Sequence, residues 1–148
     1  AHDRAAAPKE RGEEPYDGGG LVLTDRYTTS NAVHQGAKCP EGERTAFLRW
    51  LDDFEHDKLG LPRPDLVLYL DMPTEKSVEL LRGRESATHT KADIHELDTE
   101  YLATCRACAH QAIGELGWKR ISCLDREGQL RSIQEIHQEI WSLVTPLL

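Results

Sequence analysis

The run Leu21 to Asn31, LVLTDRYTTSN, passes from aliphatic residues straight into an aspartate, an arginine and a series of hydrogen-bonding side chains. A carboxylate such as Asp25, at the end of a buried strand, can hold a magnesium ion through water. The adjacent guanidinium of Arg26 can fork onto phosphate oxygens. Ser30 and Asn31 follow one helical turn later, and an amide can pair with the edge of a base. In a parallel sheet, groups of this kind gather at the carboxyl ends of the strands. The run can therefore line one groove with metal, phosphate and base contacts. A plainer reading stands beside it: Asp25 caps the following helix and Arg26 is a solvated surface charge.

The elements that must position these residues follow from patterning. Residues 5–20 carry Pro, Gly and charge without apolar period and read as a surface loop. Leu21 to Thr24 reads as a buried strand and Tyr27 to Ala37 as the helix after it. Glu41 to His56 sets Phe47, Leu48, Leu51 and Phe54 on one helical stripe, with Trp50 near it, and Gly60 and Pro62 end that helix. Asp65 to Asp71, DLVLYLD, is the clearest strand, with apolar side chains toward both faces. Pro73 and Thr74 open a helix to about Arg82, and residues 85–92 read as a mobile loop. A long helix over 93–116 steps through Ile94, Leu97, Tyr101, Cys105, Cys108, Ala112 and Leu116, with Gly117 as its cap. Trp118 to Leu124 is a third strand. A last helix from about Leu130 holds Ile133, Ile136, Ile140 and Leu143 in register. Strands alternating with helices predict one α/β domain over residues 1–148, with a mostly parallel sheet flanked by helices in three layers.

Bulk properties narrow the function. The chain has 148 residues and a formal net charge of -8. That charge argues against a nucleic-acid or anionic-membrane surface, although a few local arginines suffice for a phosphorylated small molecule. No apolar run approaches the ~20 residues of a membrane span, and no secretory signal is visible. Four cysteines, Cys39, Cys105, Cys108 and Cys123, are too sparse for a disulfide scaffold and suit a reducing cytoplasm. The chain begins Ala-His-Asp-Arg, and its single methionine is Met72. The true N-terminus is therefore expected to lie upstream.

The order DRYTTSNAVHQGAK, FLRWLDDFE, LGLPRPDLVLYLD and DIHELDTEYL resembles the thymidylate kinase family. The likeness is collinear from Asp3 to the final helix. It implies a P-loop nucleoside monophosphate kinase fold, a homodimer, a need for magnesium, and transfer of the γ-phosphoryl of ATP to dTMP. By motif, the resemblance implies that Asp25 organises magnesium or its water shell, while Arg26 binds the monophosphate and stabilises charge during transfer. Ser30 and Asn31 fall near thymine and deoxyribose, and Gln35 near the base. His34 stands where many relatives carry a tyrosine beside the sugar. Arg4 matches an arginine that reaches the base or phosphate region, and Glu96 a carboxylate near the sugar. Residues 82–96 resemble the lid, with Arg82, Arg84 and Lys91 placed to approach ATP phosphates. Without the resemblance, Arg82 and Arg84 read as cations at a helix C-terminus and Glu96 as a first-turn carboxylate.

The family's Gly-x-x-x-x-Gly-Lys-Ser/Thr loop is absent from the sequence. In the family that loop follows a first strand, which lies between the counterparts of the strands at 21–24 and 65–71. Loss of a central strand leaves buried backbone groups unpaired, at ~1 to 3 kcal/mol each. The expectation is therefore a fragment lacking the first strands, poorly stable and inactive by itself. A related nucleoside or nucleotide kinase, and a P-loop-less pseudokinase that only binds, are the alternatives. Elsewhere, Cys105-x-x-Cys108 lies inside a helix on its apolar stripe and reads as core packing. The run Asp52-Asp53-Phe54-Glu55 reads as a solvated helix face carrying one core aromatic.

Overall fold

The computed structural model describes residues 20–88 and 98–148. Helix α1 (Thr29–Gly36) is followed by a 3-10 turn (Glu41–Glu43) and α2 (Arg44–Asp52), which continues into a π-helical segment (Asp53–Lys58). Strand β1 (Leu68–Asp71), α3 (Thr74–Thr88), α4 (Thr99–Leu116), β2 (Lys119–Ser122) and α5 (Ile133–Val144) come next, and a 3-10 turn (Thr145–Leu147) ends the order. β1 and β2 are parallel, with Leu68 opposite Lys119 and Asp71 opposite Ser122. The Lys119 amide donates to the Val67 carbonyl and the Cys123 amide to that of Asp71, extending the ladder at both ends. This is the α/β arrangement expected from the sequence: a parallel sheet flanked by helices, with two strands among the described residues.

Local sequence explains the helix limits. Asp98 caps α4 by accepting the Tyr101 amide at 3.0 Å, and Gly117 ends it in the left-handed region at φ 71°. Ser132 and Glu135 form a reciprocal capping box at the head of α5. The core gathers where α1, α2 and α4 meet. Ala32, Leu48, Leu51, Ala112 and Trp118 are buried there, with Val33, Phe47, Val67, Tyr69, Ile113 and Leu116 packed around them. Cys105 and Cys108 are buried free thiols within this packing, as their place on the apolar stripe of α4 suggested.

Four sequence expectations are corrected. Leu21 to Thr24 is not a strand, and Leu21, Val22 and Leu23 are exposed. A strand needs a neighbour's hydrogen bonds, and among the described residues the sheet consists of β1 and β2 only. Residues 85–88 continue α3 rather than forming a loop, because adding a residue to an existing helix costs far less than nucleating one; residues 89–92 lie outside the described part. Ile133 is 82% exposed in the first turn of α5, whereas Ile136, Ile140 and Leu143 are half-buried. Glu55 is buried, at 1% exposure, and does not face solvent. Glu55 falls four residues after Leu51 and seven after Leu48, on the buried face of the same helix, so its position sets its facing and the Asn31 amide donates to its side chain. The helix ends in a π-helical turn, in which the Leu59 amide reaches back five residues to the Phe54 carbonyl, and half-buried Phe54 stacks on exposed Trp50.

α1 and α4 approach closely. The Cys108 Sγ donates to the Ala32 carbonyl at 3.4 Å. A Cβ placed on Gly36 would stand 2.5 Å from that sulfur. Gly36→Ala is therefore expected to destabilise the fold by about 1 to 3 kcal/mol through overpacking. Adding Cys108→Ala removes the clashing atom and should recover part of that loss. Urea denaturation of the single and double variants checks this: a double variant no more stable than Gly36→Ala would contradict the contact.

Candidate functional site

The chemistry-bearing run sits at the head of α1. Asp25 and Arg26 lie in the bend before the helix, and both are exposed. Asp25 does not cap α1; Thr28 holds the N-cap position, without a side-chain cap bond. The Tyr27 hydroxyl donates to the Pro62 carbonyl at 3.2 Å, which pins the bend to the loop before β1. Ser30 and Asn31 are half-buried on the first turn of α1. The Asn31 Nδ2 donates to Glu55 Oε1 at 2.7 Å. The amide expected to read a base edge thus makes a short bond to the buried Glu55 side chain of the π-helical segment.

His34 is half-buried one turn further along α1. Its Nδ1 lies 3.1 Å from the Tyr101 hydroxyl and 3.8 Å from the Cys105 Sγ. The rings of His34 and Tyr101 stack, with centroids 6.3 Å apart. Burial, followed by the charges of Arg26 and Lys38, pushes the His34 pKa below the usual histidine value, so the ring is neutral near pH 7. Burial raises the pKa values of the Tyr101 hydroxyl and the Cys105 thiol, and both keep their protons. Gln35 is exposed on α1; its carbonyl accepts from the Lys38 amide at 3.0 Å.

The structure thus brings Asn31 and His34 onto one helix, with the charge of Arg26 close enough to act on His34. Arg82 is exposed on α3, which packs against α4. Arg84 lies on the same helix, but its side chain is outside the described part, as are Arg4, Lys91 and Glu96. For magnesium, the hard carboxylate oxygens of Asp25 have the right chemistry, and its exposure leaves room for the water shell that the ion prefers to keep. No group of three or more His, Cys, Asp or Glu residues is placed to ligate a metal among the described residues. Asp25 can therefore contribute one ligand, directly or through water, to an ion that also needs phosphate oxygens.

A second cluster escaped the sequence reading. Asp71, at the carboxyl end of β1, is 1% exposed. Its Oδ1 accepts from Arg106 Nε at 2.7 Å, and its Oδ2 from Arg120 Nε at 2.6 Å and from Arg106 Nη2 at 3.2 Å. His110 Nε2 stands 3.1 Å from the same Oδ2. Burial alone would raise the carboxyl pKa. The hydrogen bonds from Arg106, His110 and Arg120 outweigh it and hold the group far below the ordinary carboxylate range. The only sequence signal was a terminal aspartate in an otherwise apolar strand. Glu55 and Tyr101 were likewise unassigned.

Because the folded pKa of Asp71 is depressed, its stabilising effect is present above the ordinary carboxylate pKa of about 3.9 and is lost as pH falls below it. Asp71→Asn should cost about 1 to 3 kcal/mol at pH 7, less than a fully buried pair because the three partners keep solvent contact. The gap between wild type and variant should narrow from pH 5 toward pH 2, as read by chemical denaturation across that range; a constant gap would contradict the ionised knot. For the Asn31–Glu55 bond, a double-mutant cycle with Asn31→Ala and Glu55→Ala should give a coupling of about 0.5 to 1.5 kcal/mol or more. Additive losses would remove the bond from the account.

The family model described as thymidylate kinase matches residues 1–140. Thymidylate kinases from two strains of Mycobacterium tuberculosis are each 31% identical over 99 residues, which is 66% of this chain and 46% of theirs. The aligned stretch thus covers about half the length of these curated relatives. No solved structure gives a significant match. Among the described residues, no helix is long and apolar enough to cross a membrane. The match across nearly the whole sequence, with the Asp-Arg run at the head of α1, settles the grouping: the chain belongs to the thymidylate kinase family.

Proposed function

We propose that the protein carrying this chain is an ATP-dependent transferase of nucleotide biosynthesis that phosphorylates dTMP to dTDP in the cytoplasm. The observation that supports this most is the family match over residues 1–140, which includes the run Asp25-Arg26-Tyr27 followed by Ser30-Asn31 at the head of α1. In this reading Arg26 grips the acceptor monophosphate and steadies the charge that spreads during transfer. Ser30, Asn31, His34 and Gln35 line the nucleoside side, with Arg4 and Glu96 contributing to the base or phosphate region and to the sugar. Arg82, Arg84 and Lys91 approach ATP phosphates from the lid. Magnesium, when bound beside Asp25, supplies charge neutralisation on the phosphates. The working enzyme is a homodimer.

Residues 1–148 contain no Gly-x-x-x-x-Gly-Lys-Ser/Thr run to cradle the ATP phosphates. Asp25 and Arg26 stand exposed, and among the described residues before them, 20–24, no strand is formed. Residues 1–148 alone are accordingly expected to be inactive.

Turnover assays of the full-length protein with ATP and dTMP, dUMP, dCMP or thymidine test the substrate. The expected result is the highest kcat/KM for dTMP, abolished by chelation and restored by magnesium. A cytosine preference would overturn the base assignment. Arg26→Ala should lower kcat/KM by about a hundredfold or more, whereas purified residues 1–148 that turn over dTMP would overturn the account of the missing loop.

A further inference from the structure

We propose that Tyr101 is a positioning residue for the nucleoside end of the site: with Cys105 it directs a proton-bearing group at Nδ1 of His34 and fixes the imidazole with its own proton on Nε2. That N–H is then available to donate to a sugar oxygen of the acceptor nucleotide. The substrate half of this inference rests on the function proposed above; the tautomer half does not.

The geometry carries it. Two X–H groups converge on one ring nitrogen, the Tyr101 hydroxyl at 3.1 Å and the Cys105 thiol at 3.8 Å. Both keep their protons, and the imidazolium is disfavoured by burial and by Arg26 and Lys38. A neutral imidazole has one donor and one acceptor nitrogen, and the partner of one nitrogen sets the role of the other. The Tyr101 hydroxyl also hydrogen-bonds Cys105, but an imidazole nitrogen is a stronger acceptor than sulfur, so the hydroxyl proton goes to Nδ1, which leaves the ring proton on Nε2. The arrangement is also well braced. Tyr101 sits in the first turn of α4, where Asp98 accepts its amide. Cys105 lies one turn on, buried. The stacked rings restrict rotation of both side chains.

A donor on Nε2 suits a hydroxyl or ether oxygen, which accepts readily, and it does so without placing a full charge beside the sugar. Loss of the Tyr101 hydroxyl would let the proton migrate to Nδ1, turning the substrate-facing nitrogen into an acceptor.

Nitrogen-15 NMR of the full-length protein without substrate reads the two ring nitrogens of His34 directly. The expected wild-type spectrum shows an acceptor-type Nδ1 and a protonated Nε2, with Tyr101→Phe giving a tautomer mixture in a protein whose circular dichroism shows it still folded. A protonated Nδ1 in wild type, or an unaltered spectrum in Tyr101→Phe, would overturn the inference whatever the enzyme's substrate proves to be. In kinetics, Tyr101→Phe should raise the KM for dTMP by about 3- to 10-fold with a smaller change in kcat, as loss of one neutral hydrogen bond implies. The effect should vanish in a His34→Phe background. The expected spectra with an unchanged KM would refute the sugar contact and leave the tautomer assignment standing.

Discussion

A carboxylate that leaves water must find cations and donors, and Asp71 does so where three elements meet. Its backbone belongs to β1, while its side chain is held by Arg106 and His110 from α4 and by Arg120 from β2. β1 and β2 are already joined by the parallel ladder, so the knot adds the third member. A strand of four residues with, among the described residues, one paired neighbour has few hydrogen bonds of its own. The charge cluster fixes its carboxyl end against the long helix, and everything packed on that helix inherits the register.

α4 presents two faces separated by its helical period. Tyr101, Cys105, Cys108 and Ala112 step by four, three and four residues, and Cys105, Cys108 and Ala112 are buried on the side toward α1 and α2. Arg106 and His110, four apart, hold Asp71 on the side toward β1. One rigid rod thus connects the sheet to the helix that carries the site. The close approach at Gly36 and Cys108 makes the second joint as constrained as the first.

Much of this was legible in the sequence because it depends on local patterning. The alternation of elements, the strand character of the DLVLYLD and WKRISCL segments in a parallel sheet, the Gly117 cap and the buried role of the cysteine pair all follow from period and turn chemistry. Glu55 escaped although it falls on the Leu48 and Leu51 stripe, because its charge suggested solvent. The rest of what escaped depends on events that a regular period cannot encode. The Leu21 to Thr24 run has the composition of a strand, but composition supplies no hydrogen-bonding neighbour. The Asp71 knot joins residues 35 and 49 positions apart, and the His34–Tyr101 contact spans 67, separations at which spacing carries no signal.

The placement of the polar residues on α1 follows from the same constraints. A short helix has little stability of its own, since eight residues barely exceed the cost of nucleation. Its inner face is therefore tied down at three levels: Asn31 to Glu55, Ala32 to Cys108, and His34 to Tyr101. Those ties run to two different partners, the π-helical segment and α4, so α1 cannot rotate about its axis without breaking bonds on both sides. The bend that carries Asp25 and Arg26 is consequently anchored just behind the pair, even though the pair itself faces solvent. Exposure of a side chain and rigidity of the backbone beneath it are separate properties, and the phosphoryl transfer proposed above would depend on the second, because in such reactions a protein contributes mostly positioning.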